Sequence, residues 1–327
     1  MNAEKDAYDA YADKRTWESG IHFLQEVFGE FEYSVNEPES IQVEAVPYDD
    51  NGIALQGYVA FPDRDIWQYP TPGVLILPDW DNVNDYEKFR ATLLAETGYL
   101  AFVADIYGAD LQGVTNETLR MELYLEYTTN IPLFLQRIQK ALEIMKTKYA
   151  DDLDMESLAI IGYCFGGTGV VQYAFSGADD GIKVAVAYHG GLNTLPNTTV
   201  ERNMHLVIES GGEDPAHGNQ TILEQALNGV NETWEISRYS NVVHGFTVWS
   251  NTDAYSIVAD SRSWNAMLET FGEKMNTPKY LSSTTTPNDK NNTDATKVGS
   301  NAVSYIKSVR TMGGVLFMMS MVSFLVY

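Results

Sequence analysis

Five six-residue apolar runs constrain this chain more than any other feature. They lie at 73–78 (G-V-L-I-L-P), 99–104, 158–163 (L-A-I-I-G-Y), 183–188 (K-V-A-V-A-Y) and 205–210, with a further strand-like segment at 233–239. Each is short for a helix and too evenly apolar for a strand with one wet face, so it suits a strand buried on both sides. The stretches between them carry a helical period. Leu135, Ile138, Leu142 and Met145 share a face within 131–146, and Ile222, Ala226 and Val230 do so within 218–230. Strands alternating with helices predict an α/β fold, a mostly parallel central sheet covered by helices on both faces. Ahead of the runs, 41–47 and 53–61 read as a hairpin turning at Asp50-Asn51-Gly52.

In such a sheet, active sites gather at the carboxyl ends of the strands. There, directly after 158–163, stands Cys164, the sole cysteine of the 327 residues. One cysteine excludes a disulfide within the chain and a cysteine-based metal cluster. A small buried hydrophobe and a reactive nucleophile remain. Its setting, G-Y-C-F-G-G followed by a helical T-G-V-V-Q-Y-A-F, matches the sharp strand-to-helix turn G-x-nucleophile-x-G. That turn puts the side chain at a helix N-terminus, whose free N–H groups favour a thiolate and a developing oxyanion.

A thiol nucleophile needs a base, and five histidines are available. His22 lies in the N-terminal extension, His205 opens an apolar run, His217 sits in a polar loop, and His189 ends a run where it could line a pocket. His244, in N-V-V-H-G-F after the last strand, has the place expected when nucleophile, acid and histidine follow one another in the chain. The acid then belongs after 205–210, where H-L-V-I-E-S-G-G-E-D delivers Asp214, with Glu213 as its rival.

These segments resemble the dienelactone hydrolase family, α/β-hydrolases with a cysteine nucleophile, over roughly residues 41–272. G-Y-C-F-G-G is similar to the family's nucleophile turn, and P-G-V-L-I-L-P-D-W-D and G-Y-L-A-F-V-A-D-I-Y-G are similar to two flanking segments, with Ala104 in place of a usual proline. The fifty residues from Cys164 to Asp214 and the thirty from there to His244 also fit. The resemblance implies an α/β-hydrolase fold and a triad of Cys164, Asp214 and His244. It implies a supporting acid at Asp79, which replaces a glutamate that holds the resting thiol, and an oxyanion hole from the backbone N–H groups of Trp80 and Phe165. It implies no metal and no organic cofactor. Val248 stands near a position where the family has a substrate-binding arginine. Arg120 is then a possible substrate contact, and a neutral ester or lactone is the expected substrate.

The chain divides into four zones: an acidic, aromatic extension at 1–40, the hydrolase-like domain at 41–275, a Ser/Thr/Asn-rich disordered linker at 276–302 and a hydrophobic tail at 303–327. The fifteen uncharged residues from Gly313 fall short of the about 20 needed to span a bilayer. They fit a glycolipid-anchor signal attached near Ser300, with a retained tail anchor as the alternative. No signal peptide is visible in the charged first residues, so a cell-surface address and a cytoplasmic tail-anchored one are both open. A formal net charge of −24 excludes phosphate backbones as partners. The expected activity is hydrolysis of a small ester or lactone through an acyl-enzyme. A non-catalytic, membrane-bound binding or adhesion protein on the same fold is the alternative.

Overall fold

The computed structural model describes residues 41–281, apart from 179, 193–203, 219 and 230–232. Among them are eight strands: β1 (Gln42–Asp50), β2 (Ile53–Phe61), β3 (Thr71–Leu77), β4 (Leu100–Val103), β5 (Leu153–Tyr163), β6 (Ile182–Tyr188), β7 (His205–Gly211) and β8 (Thr233–Tyr239). They form one sheet in the order β1-β2-β4-β3-β5-β6-β7-β8. β2 runs antiparallel to both of its neighbours, and every other pairing is parallel. The hairpin closes through Asn51 and Gly52, with φ of 55° and 85°. Two successive positive φ angles give a turn whose twist matches that of the flanking strands.

The inner strands are apolar throughout because successive side chains feed two separate cores. In β3, Leu75 and Leu77 enter one core while Val74 and Ile76 enter the other. The first core is roofed by α2 (Glu117–Thr129), α3 (Ile131–Lys148), α4 (Phe165–Ala174) and α5 (Gln220–Gly229). The second is covered by α1 (Asp85–Glu96) and α6 (Ile257–Lys274). Arg90 of α1 and Asp260 of α6 form a buried ion pair at 2.7 Å that fixes these two helices to each other.

One helical face matches the expected one and another differs. In α3 the expected Ile138, Leu142 and Met145 are buried together with Phe134 and Ala141, and Leu135 packs partly buried against the same core. In α5, Leu223 and Leu227 are fully buried while Ile222 is 58 % exposed. The sheet takes the leucine pair four residues apart, so the helix is rolled by one residue, about 100°, from the expected face.

Contacts with the domain continue past 275. Residues 276–281 pack back on the domain: the Asn276 N–H donates to Ser157 Oγ, Gln68 N–H donates to Lys279 O, and Tyr280 stacks on Trp67 at 4.2 Å. The polar composition of this segment hides that attachment because its partners lie far away in the chain. Among the described residues no helix is long and apolar enough to cross a membrane. The extension 1–40, the remaining linker and the tail with Ser300 lie outside the described residues.

Candidate active site

The site grows from the junction of β5 and α4. Cys164 caps α4 with φ 52° and ψ −108°, a conformation that turns the chain sharply between strand and helix. Glycine flanks it for steric reasons. A Cβ at Gly166 would collide with the carbonyl oxygens of Leu77 and Pro78, and one at Gly162 with Gly166 O. The missing side chains let the start of α4 press against the end of β3. Phe165 is the first residue of α4, so its N–H has no acceptor within the helix. Its ring stacks on Phe134 at 4.4 Å, which anchors the helix start in the core.

His244 and Asp214 arrive from the ends of β8 and β7. His244 Nε2 lies 3.0 Å from Cys164 Sγ, and His244 Nδ1 lies 2.9 Å from Asp214 Oδ2. Asp214 is buried and also accepts the Ala216 N–H at 2.8 Å, so its carboxylate is fixed at both oxygens. Glu213, the rival acid, points outward and is exposed. Burial works against a charged His244. The hydrogen bonds to Asp214 and Cys164, with their negative charge, outweigh it and push His244 up to about 10.

The facing wall is the segment after β3. Asp79 is buried, and its Oδ1 accepts the Asp81 N–H at 3.1 Å. Burial, followed by a side-chain hydrogen bond with the Asp81 carboxyl and the charges of Glu87, Asp81 and Cys164, raises its carboxyl well above the usual range. Glu87, at the third position of α1, accepts the N–H groups of both Asp79 and Asn84. Burial and then the charge of Asp81 push it up to about 8. Below this segment, buried Asp105 collects the Asn82 side-chain amide and the backbone N–H groups of Gln56 and Gly108, at 2.8–2.9 Å. Asn82, whose φ is 65°, in turn accepts the Ile106 N–H at its Oδ1. The Asp79–Trp80 turn is thereby held from both ends.

A cleft of about 590 Å³ opens over Cys164 and His244. Asp79, Trp80, Arg120, Asp214 and Val248 all line it, while Phe165 is buried behind it and is not among the lining residues. Arg120, from α2, lays its guanidinium 4.5 Å over the Trp80 ring, and its buried Nε has no hydrogen-bond partner. Val248 supplies apolar wall at the position where an arginine was expected. Thr168, Tyr124 and Asn251 also line the cleft and carried no sequence signal beyond their residue type. Of the remaining histidines, His217 is buried against Ser210 Oγ at 2.8 Å and His205 against Thr233 Oγ1 at 2.8 Å. His189 sits fully buried behind the triad.

Comparison with known proteins agrees with this fold. The model of the dienelactone hydrolase family matches residues 55–275. A Bradyrhizobium protein named "Probable 2-oxo-3-(5-oxofuran-2-ylidene)propanoate lactonase" is 24 % identical over 242 residues, 70 % of this chain and 94 % of that protein. A dienelactone hydrolase-like promiscuous phosphotriesterase from metagenomic libraries superposes with a TM-score of 0.66 at 26 % identity, covering 72 % of this chain and all of the other. The dienelactone hydrolase of Anabaena variabilis shares the fold at a TM-score of 0.51 and 18 % identity, over 73 % of this chain and all of that one.

Proposed function

The chain belongs to the dienelactone hydrolase family, and from that membership we propose that it cleaves a neutral carboxylic ester or lactone with Cys164 as nucleophile. Hydrolysis of the ester or lactone class comes with the family. The finer assignment is supported by one observation above all: the unbroken hydrogen-bonded line from Asp214 through His244 to Cys164, opening on a cleft.

His244 Nε2 takes the thiol proton, and Asp214 holds the imidazole with its Nδ1–H donated to the carboxylate. Sγ attacks the carbonyl carbon. The resulting oxyanion is received by the N–H groups of Trp80 and Phe165. As the tetrahedral adduct collapses, the C–O bond breaks and His244 returns the proton to the departing alkoxide. In a lactone that alkoxide stays attached to the acyl group as a hydroxyl. Water, deprotonated by His244, then attacks the thioester, releases the acid and restores the thiol.

Substrate charge follows from the cleft's composition. Among the lining residues Arg120 is set against Asp81 and Asp214, the charge on His244 is engaged by Asp214 and Cys164, and Val248 adds no charge. An anionic substrate would leave water with little cationic compensation, which is costly. The tail, read from sequence alone, is proposed to address the domain to a membrane.

The test is hydrolysis of p-nitrophenyl esters and small lactones by the wild type and by Cys164→Ala. The variant is expected to lose all turnover while melting at nearly the wild-type temperature. Undiminished activity in that variant overturns the nucleophile. A higher kcat/KM for a carboxylate-bearing lactone than for its methyl ester overturns the charge argument, with Arg120 the residue then to mutate. No turnover of any substrate by the wild type would favour the non-catalytic binding role.

A further inference from the structure

The Cys164–His244 contact joins two segments 80 residues apart, one after β5 and the other after β8. In the sheet, β6 lies beside β5 on the side leading to β8. His189, the first residue after β6, is where a bridge between the two segments can be built. It is fully buried, and its φ of 39° turns the ring into the space behind the triad.

Its two ring nitrogens face in opposite directions. Nδ1 lies 3.1 Å from Cys164 N, whose N–H is shared with Tyr188 O at 3.0 Å, and Nε2 lies 2.8 Å from Thr247 Oγ1. A backbone N–H can only donate, so Nδ1 accepts and the ring proton resides on Nε2. Nε2–H then donates to Thr247 Oγ1, leaving the threonine proton for Tyr86 Oη at 2.7 Å. The Thr247 carbonyl is itself held by Arg90 at 2.8 Å. Thr247 is the third residue after His244.

We propose that His189 is a positioning residue that ties the turn bearing the nucleophile to the loop bearing the base, through Thr247. The proposal rests on the reading of Cys164 and His244 as the reacting pair. A proton on Nδ1 would face the Cys164 N–H and break the tie, so His189 works as the neutral Nε2–H tautomer. Its surroundings support that form: burial, followed by the charges of His244 and Arg90, holds His189 well below the usual histidine range. A core histidine that merely satisfied its own polar atoms would need no partner on both reacting segments.

Thr247→Val is nearly isosteric and removes the hydroxyl. It is expected to lower kcat by about tenfold or more, because small displacements of reacting groups are costly, while KM stays within about twofold. Alkylation of Cys164 by iodoacetamide at neutral pH should slow in parallel, since the thiol has lost its fixed base. Thr247→Ser, which keeps the hydroxyl, should restore both. His189→Asn keeps an acceptor opposite the Cys164 N–H but is too short to reach Thr247, so it should reproduce the Thr247→Val loss. That variant carries the test if Thr247→Val does not fold. Wild-type kcat and alkylation rate in Thr247→Val, or a serine variant as impaired as the valine one, overturn the tie. If the wild type hydrolyses nothing, the functional reading fails, while the alkylation series still decides the positioning role.

Discussion

Replacing Asp105 by asparagine removes a charge from the segment that supports the cleft, without changing the side chain's shape. The carboxylate is fully buried, and one oxygen accepts from Asn82 and Gly108 while the other accepts from Gln56 N–H and the Gln112 amide. In the variant one of these oxygens becomes an NH2 group facing donors. At least one short bond is lost outright, and the rest become neutral. A hydrogen bond to a charged group contributes about 1.5–3 kcal/mol, and an orphaned buried donor costs a further ~1–3 kcal/mol. The expected destabilisation is therefore about 2.5–6 kcal/mol. For a domain of this size that corresponds to roughly 5–24 °C in melting temperature, at ~2–4 °C per kcal/mol. The assay is urea unfolding followed by tryptophan fluorescence, with Asp49→Asn as the control. Asp49 accepts only the Gly52 N–H at an exposed turn, so its loss should stay within about 0.5 kcal/mol. Activity should fall along with stability in Asp105→Asn, because Asn82 and the Asp79–Trp80 turn lose their anchor. An Asp105→Asn midpoint shift no larger than that of the control would refute the reasoning.

Three further outcomes follow. His244 keeps its proton in the folded state up to about 10, against an ordinary value of 6.5, so the folded state binds the extra proton between these limits. Its contribution to stability is complete below 6.5 and fades as pH climbs toward about 10; urea midpoints of the wild type and His244→Gln should therefore converge over that window, and a constant gap would sink the assignment. Removing 282–327 should leave melting temperature and esterase activity unchanged, whereas removing 276–327 should cost about 0.5–1.5 kcal/mol for the Trp67–Tyr280 stack alone, plus the lost backbone bonds. In a eukaryotic host with a signal peptide supplied, intact mass will show whether Val315–Tyr327 is clipped near Ser300, as a glycolipid anchor requires, or retained.

The parts of the site that were legible in sequence are those encoded by local geometry. Gly162 and Gly166 announce a turn that no Cβ would allow, and Cys164 between them is therefore found without knowing any contact. Asp214 and His244 could be read because each follows a strand end, and parallel strands deliver their ends to one rim. The apolar runs themselves fix the sheet, since a strand feeding two cores has no polar face to alternate with.

What stayed hidden depends on pairings across the sheet. Asp105 looks like any aspartate after a strand, in a chain with 45 acidic residues. Its weight comes from donors on β2, on the Asn82 turn and at Gly108, gathered only when β4 lies between β2 and β3. The roll of α5 from Ile222 to Leu223 has the same origin, because both faces of that helix offer apolar residues and the sheet chooses between them. His189 is the sharpest case. Its residue type suggests a base, yet its Nδ1 faces the Cys164 N–H rather than the thiol, and His244 already occupies the position 3.0 Å from the sulfur. A histidine next to a nucleophile acquires its role from which atom its nitrogens face, and that is set by the order of the strands, which the identity of the residue does not record.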